Sequence, residues 1–252
     1  MIDLRTSLKL LPVDNIKMHE SFQPTRLEKT MSAILNEKVL INPIVTTRIN
    51  ESDYMIIDGV HRYLSLKELG FKTVACQIVN EVDAKLNMWS HLVKAGKSLK
   101  AITDKNLIKV ENEINNKRFV FKITDSKQKT LYFYLDNDKN IMNFVDAMHY
   151  VVARYDCTCF TRVSQMNKSE IDEEDVLVEF CDFNLKEINS LIFNEVHLPT
   201  GVTHFSINNR LLNLKIPLKF MESNISESDW QGFIQSTQEK LRYYPESIYF
   251  CE

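Results

Sequence analysis

The sequence predicts a mixed α/β (α+β) chain organised as two domains, and three observations carry that reading. Helical and strand-like periodicities alternate along the whole chain. Apolar residues make up 44% and charged residues 26% of 252 positions, which is globular composition and excludes disorder. With 5 Gly and 6 Pro there is little material for flexible linkers. No apolar run approaches the roughly 18 residues that span a bilayer. The N-terminus lacks the basic start, long apolar stretch and small-residue cleavage site of a leader, so the chain reads as cytoplasmic with no membrane partner. Its 31 basic and 34 acidic side chains give a net charge of −3, so no global field draws it to nucleic acid.

The elements follow in order. Thr25 and Glu28 have the spacing of a capping box, and Leu27, Met31, Ile34 and Leu35 recur at helical intervals, which predicts an amphipathic helix. Residues 43–49 and 54–57 are rich in apolar and β-branched side chains and flank the polar 50–53, which predicts a hairpin. A helix follows at once, with Asp58 as its cap, Tyr63, Leu64, Leu66 and Leu69 as its apolar positions, and Gly70 at its end. Residues 73–79 then read as a strand. Across 83–109 the pattern turns helical and then polar, with Gly96 and Lys97 as a joint, so residues 1–95 are expected to form one domain and 96–252 the other. The second domain should contain a hairpin around 125–129, a helix through Ile141, Phe144, Val145, Met148 and Val152, strands at 175–180, 201–208 and 213–220, and helices at 184–193 and 230–241.

One segment is chemically suggestive. An apolar strand runs into Asp58-Gly59-Val60-His61-Arg62 and directly into a helix. Such a turn exposes backbone N–H groups at the positive end of the helix dipole, Gly59 permits close approach, and His61 and Arg62 add donors, all of which suit a phosphate. The other reading is that Asp58 caps the helix while His61 and Arg62 lie solvated, and the residues alone leave both open. The turn is neither a Walker A loop nor a G-x-G-x-x-G fingerprint. Cys76, Cys157, Cys159, Cys181 and Cys251 form an odd, scattered set and read as reduced thiols. Cys157 and Cys159 make a C-x-C, but no second pair stands at zinc-site spacing, and no metal cage is expected.

The motif DGVHR after a strand, the upstream LKLLPVDNIKMHESFQPTRLEKT, and the distant LPTGVTHFSINNRLLNLKIPL together resemble the ParB/sulfiredoxin-like superfamily. Within it they most resemble the free serine kinases, in particular the type encoded with staphyloferrin B siderophore genes. Sulfiredoxins place a nucleophilic Cys where this chain has Val60, whose side chain forms no thiolate. ParB clamps carry G-x-x-R-R, whereas Arg62 is followed here by Tyr63.

The resemblance implies a ParB/sulfiredoxin-like N-terminal domain and a C-terminal domain that contributes to the substrate cleft. It also implies transfer of a phosphoryl group from ATP, or from ADP, to the hydroxyl of free L-serine with Mg²⁺. The product, O-phospho-L-serine, would pass to a cysteine-synthase-like enzyme on the way to 2,3-diaminopropionate. Glu20, which alone reads as a solvated loop carboxylate, matches the family's catalytic base. Asp58 matches a carboxylate that orients Mg²⁺ or the acceptor, and Gly59, Val60, His61 and Arg62 match the phosphate-binding turn, with Val60 in place of a frequent His. Trp89 and Thr203 match amino-acid-binding positions, and His204 replaces an Arg of close relatives. Arg26 and Lys29, by themselves ordinary helix-surface cations, are candidates to reach phosphate or the serine carboxylate. His19 reads as structural. The resemblance also raises a haem-responsive DNA-binding regulator, which would use Cys157, Cys159 or a His, and a ParB-like nucleotidase as rivals.

Overall fold

A computed structural model of the chain describes residues 2–96, 102, 107–136, 140–155, 160–164, 170–222, 225–244 and 248–251. Its contacts divide the chain into two compact units, Met1–Met18 with Phe22–Lys85 and Phe205–Glu252, and His19–Ser21 with Leu86–His204.

The first unit opens with α1 (Leu4–Ser7), β1 (Leu8–Pro12), a 3-10 turn (Val13–Asn15) and β2 (Ile16–Lys17). Then come α2 (Pro24–Glu37), β3 (Val39–Leu40), β4 (Ile44–Arg48), β5 (Tyr54–Asp58), α3 (Val60–Glu68) and β6 (Thr73–Val79). β4 and β5 form the expected hairpin, and the sheet order is β1-β6-β4-β5-β2. α2 begins differently from the expectation. Gln23 is its N-cap with no side-chain capping bond, and Pro24 opens the helix, so Thr25 and Glu28 form no capping box. The proline ring supplies the helical φ and lacks an N–H that would need a partner there. α3 ends as expected, with Gly70 at φ +85°.

The second unit contains most of β7 (Ala84–Met88), then β8 (Ser90–Lys94), β9 (Leu107–Val110), β10 (Phe121–Asp125), β11 (Thr130–Leu135), α4 (Ile141–Val152), β12 (Thr161–Val163), β13 (Asp175–Phe180), α5 (Leu185–Phe193) and the start of β14 (Thr203–Ile207). Six of these strands form one antiparallel sheet in the order β12-β8-β13-β10-β11-β9. The helical reading of 83–109 is therefore corrected, because β7, β8 and β9 occupy it. In β8 the buried positions alternate, His91 and Val93 inward. A polar side chain at a buried position conceals a period of two.

The chain then returns to the first unit as β15 (Arg210–Leu212), β16 (Ile216–Pro217), a 3-10 turn (Leu218–Met221), α6 (Glu227–Lys240), β17 (Leu241–Tyr244) and β18 (Ile248–Cys251). Leu211, Leu214, Ile216, Phe220, Trp230, Ile234 and Leu241 are buried in one core with Leu8, Leu27, Ile34, Ile56, Leu66 and Val74. A single boundary near residue 95 does not describe this division. The chain crosses between units at 18/19, 21/22, 85/86 and 204/205, and the segment from Phe205 onward completes the first core.

Two internal polar contacts shape these units. In the first, the Tyr63 hydroxyl lies 3.1 Å from the Val13 carbonyl and 3.3 Å from that of Ile16, tying α3 to the segment that leads to Met18. Tyr63→Phe should cost about 1–2 kcal/mol of stability, read from urea unfolding, because buried carbonyls lose their donor. In the second, His91 Nδ1 is 2.8 Å from the Tyr155 hydroxyl and its ring stacks on Phe160 at 3.9 Å. His91 Nε2 is 2.8 Å from the Gly201 carbonyl and donates to it. Burial, aided by Arg162 and partly opposed by the Gly201 bond, lowers the His91 pKa to about 4. The neutral ring is the folded form, so its stability contribution is complete above the unfolded value near 6.5 and falls as pH drops from there toward 4. Across that window the wild-type protein should lose on the order of 3 kcal/mol. Chemical denaturation in steps between pH 7 and 4 checks this, and His91→Gln should flatten the slope.

Candidate functional site

In the first unit the site is built at the strand-to-helix turn. β5 ends at Asp58, Gly59 takes φ +100° as the N-cap residue, and α3 begins with no side-chain cap. Asp58 is thus not the cap that the sequence suggests. Its Oδ2 accepts from Arg62 Nη2 at 2.8 Å and from Arg210 Nη2, two guanidiniums on one oxygen. Burial opposes its charge, but Arg62 and Arg210 outweigh burial and hold the carboxyl below its usual value.

Arg62 Nη2 also lies 3.2 Å from the Pro43 carbonyl. Its buried Nε has no hydrogen-bond partner among the described residues. A methyl group on Gly59 would lie 2.7 Å from Arg62 Nη2 and 3.1 Å from Nε, so both the positive φ and the folded-back guanidinium require glycine here. His61 Nε2 accepts from the Gln23 N–H at 3.3 Å, which places the proton of the neutral ring on Nδ1. Val60 is partly buried against the core. Arg26 and Lys29 lie exposed on α2.

In the second unit the site is built around Glu20. Residues 19–21 bridge Leu198, whose N–H donates to the His19 carbonyl at 2.8 Å and whose carbonyl accepts from Ser21 N–H at 2.8 Å. That register sets the Glu20 carboxylate on the turn entering β14. Oε2 accepts from Gly201 N–H at 2.9 Å, and Oε1 accepts from Thr203 N–H at 2.5 Å and from the Thr203 hydroxyl. With its proton directed to Glu20, Thr203 Oγ1 accepts from His19 Nε2 at 2.8 Å.

His19 is 3% exposed and supports Thr203, in keeping with a structural role. Gly201 has φ +77°, its carbonyl is held by His91, and the Arg162 guanidinium occupies the space that a side chain would fill. Trp89 N–H donates to Val202 O at 2.8 Å, and its ring stacks on His204 with centroids 4.2 Å apart. Glu20, Thr203, Trp89 and His204 therefore share one neighbourhood of this unit.

The chemistry of the two parts differs. A carboxylate with two bonds on one oxygen and one on the other is fixed in orientation and keeps an acceptor position on Oε2. An uncapped helix N-terminus beside two arginines and one carboxylate carries net positive charge and suits an anion. Among the described residues no group of three or more His, Cys, Asp or Glu is placed to hold a metal ion. Mg²⁺ needs no such cage, since it commonly binds through one or two carboxylates and substrate phosphates, and Asp58 supplies an ionised oxygen donor. Cys76 and Cys181 are free and buried, and burial raises both thiols, Cys181 to about 12, so neither is a reactive thiolate. Cys157 and Cys159 lie outside the described residues. No described helix is long and apolar enough to cross a membrane.

Sequence reasoning missed Arg210, Gly201 and His91. Arg210 falls in a segment whose general pattern is visible but whose distance from Asp58 is not, and His91 has no motif of its own.

Residues 5–93 match the ParB N-terminal domain family. A protein of Staphylococcus aureus (strain NCTC 8325 / PS 47) described as the ATP-dependent L-serine kinase SbnI is 32% identical over 257 aligned residues, covering 100% of both chains. The solved structure of SbnI with a C-terminal truncation, from the same species, superposes with a TM-score of 0.83 at 31% identity, covering 95% of this chain and 99% of that one. A free serine kinase in complex with AMP shares the fold at a TM-score of 0.70 and 15% identity, over 85% of this chain and 93% of its own. With full-length similarity to SbnI joined to the ParB-type turn at Asp58–Arg62, the chain belongs to the ATP-dependent L-serine kinase family of which SbnI is a member.

Proposed function

We propose that this chain transfers the terminal phosphoryl group of ATP to free L-serine, giving O-phospho-L-serine and ADP. The observation that carries the reading is the Glu20 carboxylate, oriented by Gly201 and Thr203 in a chain similar from end to end to an L-serine kinase. The Gly59 turn, with Arg62 and His61, holds the nucleotide phosphates. Glu20 takes the proton of the serine hydroxyl as its oxygen bonds to the γ-phosphorus and the bond to the β-bridging oxygen breaks. Thr203 and Trp89 position the amino acid beside that carboxylate.

Asp58 would help hold a Mg²⁺ ion brought with the nucleotide, and the ion would supply neutralisation of phosphate charge. Gly59 and the N–H groups of α3 bring donors to the phosphates without side-chain bulk. Arg26, on the exposed face of α2, is an auxiliary cation for phosphate or the serine carboxylate. The product suits a cysteine-synthase-like enzyme that replaces phosphate with a nitrogen nucleophile, a step toward 2,3-diaminopropionate and a siderophore.

Incubation with Mg²⁺ and ATP, or ADP as the alternative donor, and a panel of free amino acids should yield phosphoserine by mass spectrometry and no other phosphoamino acid. Glu20→Gln should lower kcat by at least ~100-fold with nucleotide affinity nearly intact. Unchanged turnover would remove Glu20 from the base role. Gly59→Ala should weaken ATP binding about 10-fold and lower stability by roughly 1–2 kcal/mol, since a side chain at positive φ is strained and Arg62 must move. Calorimetric titration and thermal unfolding measure the two effects, and undiminished ATP affinity would take the phosphates away from this turn.

A further inference from the structure

We propose that Arg210 is a second phosphate-binding guanidinium of the Gly59 turn, that Gln77 is its positioning residue, and that Asp58 is the anchor it shares with Arg62. The proposal rests on the nucleotide-binding reading above and adds to it a residue from the far end of the chain.

Three features of the first unit lead to it. Asp58 Oδ2 takes one terminal nitrogen from each guanidinium, so two positive charges meet one negative charge and the turn keeps a net +1. The side chains of Arg62, Arg210 and Asp58 remain 23%, 33% and 34% exposed. One carboxylate neutralises one of the two guanidiniums, so the second arginine adds positive charge at the turn that no neighbouring carboxylate in this pair of bridges cancels. The exposed parts of the two side chains are open to an incoming oxyanion, while Arg62 Nε itself is buried.

The second feature is how Arg210 is held. Gln77, 1% exposed in the interior strand β6, donates from Nε2 to the Asn209 carbonyl at 2.8 Å and accepts at Oε1 from the Leu211 N–H at 2.9 Å. A buried carboxamide thus uses both ends on the peptide groups that flank one residue. Such a clamp fixes where the Arg210 side chain starts, and Asp58 fixes where it finishes.

The third is the turn itself. α3 has no side-chain cap, Arg62 Nε is buried without a hydrogen-bond partner among the described residues, and Val60 brings no polar group. A phosphate there meets helix N–H groups and one guanidinium pinned by Asp58; Arg210, pinned to the same oxygen, supplies the second. Asp58 then acts as the part that aligns two forks.

The test uses the full chain. Arg210→Gln should weaken ADP binding by 10- to 100-fold in calorimetric titration, and direct titration with inorganic tripolyphosphate should show at least 10-fold weaker binding than wild type. The KM for ATP should rise while that for serine stays within 2-fold. Gln77→Leu should move ADP affinity in the same direction, and Arg210→Lys, which keeps charge but not the fork, should lose 3- to 10-fold. A variant with unaltered ADP affinity and ATP KM, even with a lowered Tm, would reduce Arg210 to a structural tie and overturn the proposal. If Arg210→Gln does not fold, Arg210→Lys decides by the same criterion. Wild-type protein that binds ADP but phosphorylates no serine would defeat the kinase reading and leave this one standing.

Discussion

The sharing of one Asp58 oxygen by Arg62 and Arg210 is the constraint on which the first unit's chemistry depends. It draws the Arg62 guanidinium back across Gly59, which is possible only because that residue has no side chain. It also joins β5 to β15, 152 positions later in the chain. Without the carboxylate, two guanidiniums would repel one another at the already positive end of α3. With it, their forks are aligned and the turn stays cationic. The carboxyl remains ionised despite burial because those same two charges face it.

The second unit solves a different problem, holding a carboxylate still while leaving it an acceptor position. Glu20 is gripped by two backbone amides and a hydroxyl, and none of these donors swings on a long side chain. Support continues outward through His19 to Thr203 and through His91 to Gly201. His91 does this as a neutral ring, since burial among Tyr155, Phe160 and Phe180 disfavours its proton. In its proposed role as proton acceptor, Glu20 on such a frame spends little entropy finding its geometry.

The sequence made some parts of this arrangement legible and hid others. Asp58 through Arg62 stand together, so their turn could be read directly, and Glu20 and Thr203 could be found through family resemblance. Asp58 is not the helix cap, because Gly59 occupies the N-cap position and the Asp58 oxygen accepts from two arginines. Thr25 and Glu28 have the spacing of a capping box, yet Pro24 starts the helix two residues too early for it. Residues 84–94 look helical because a buried His91 interrupts the apolar alternation of β8.

Local order determined the β4–β5 hairpin, the amphipathic faces of α2, α3 and α4, and the strand-turn-helix at Gly59, since each rests on neighbours within a few positions. Only the tertiary structure decided that residues 205–252 fold with the first unit, that Gln77 clamps the peptides around Arg210, and that Glu20 pairs with Gly201 and Thr203. Those pairings join residues more than a hundred positions apart. Their partners are selected by which apolar faces share a core and which buried polar groups still need a hydrogen bond, and neither condition is written in any short stretch of chain.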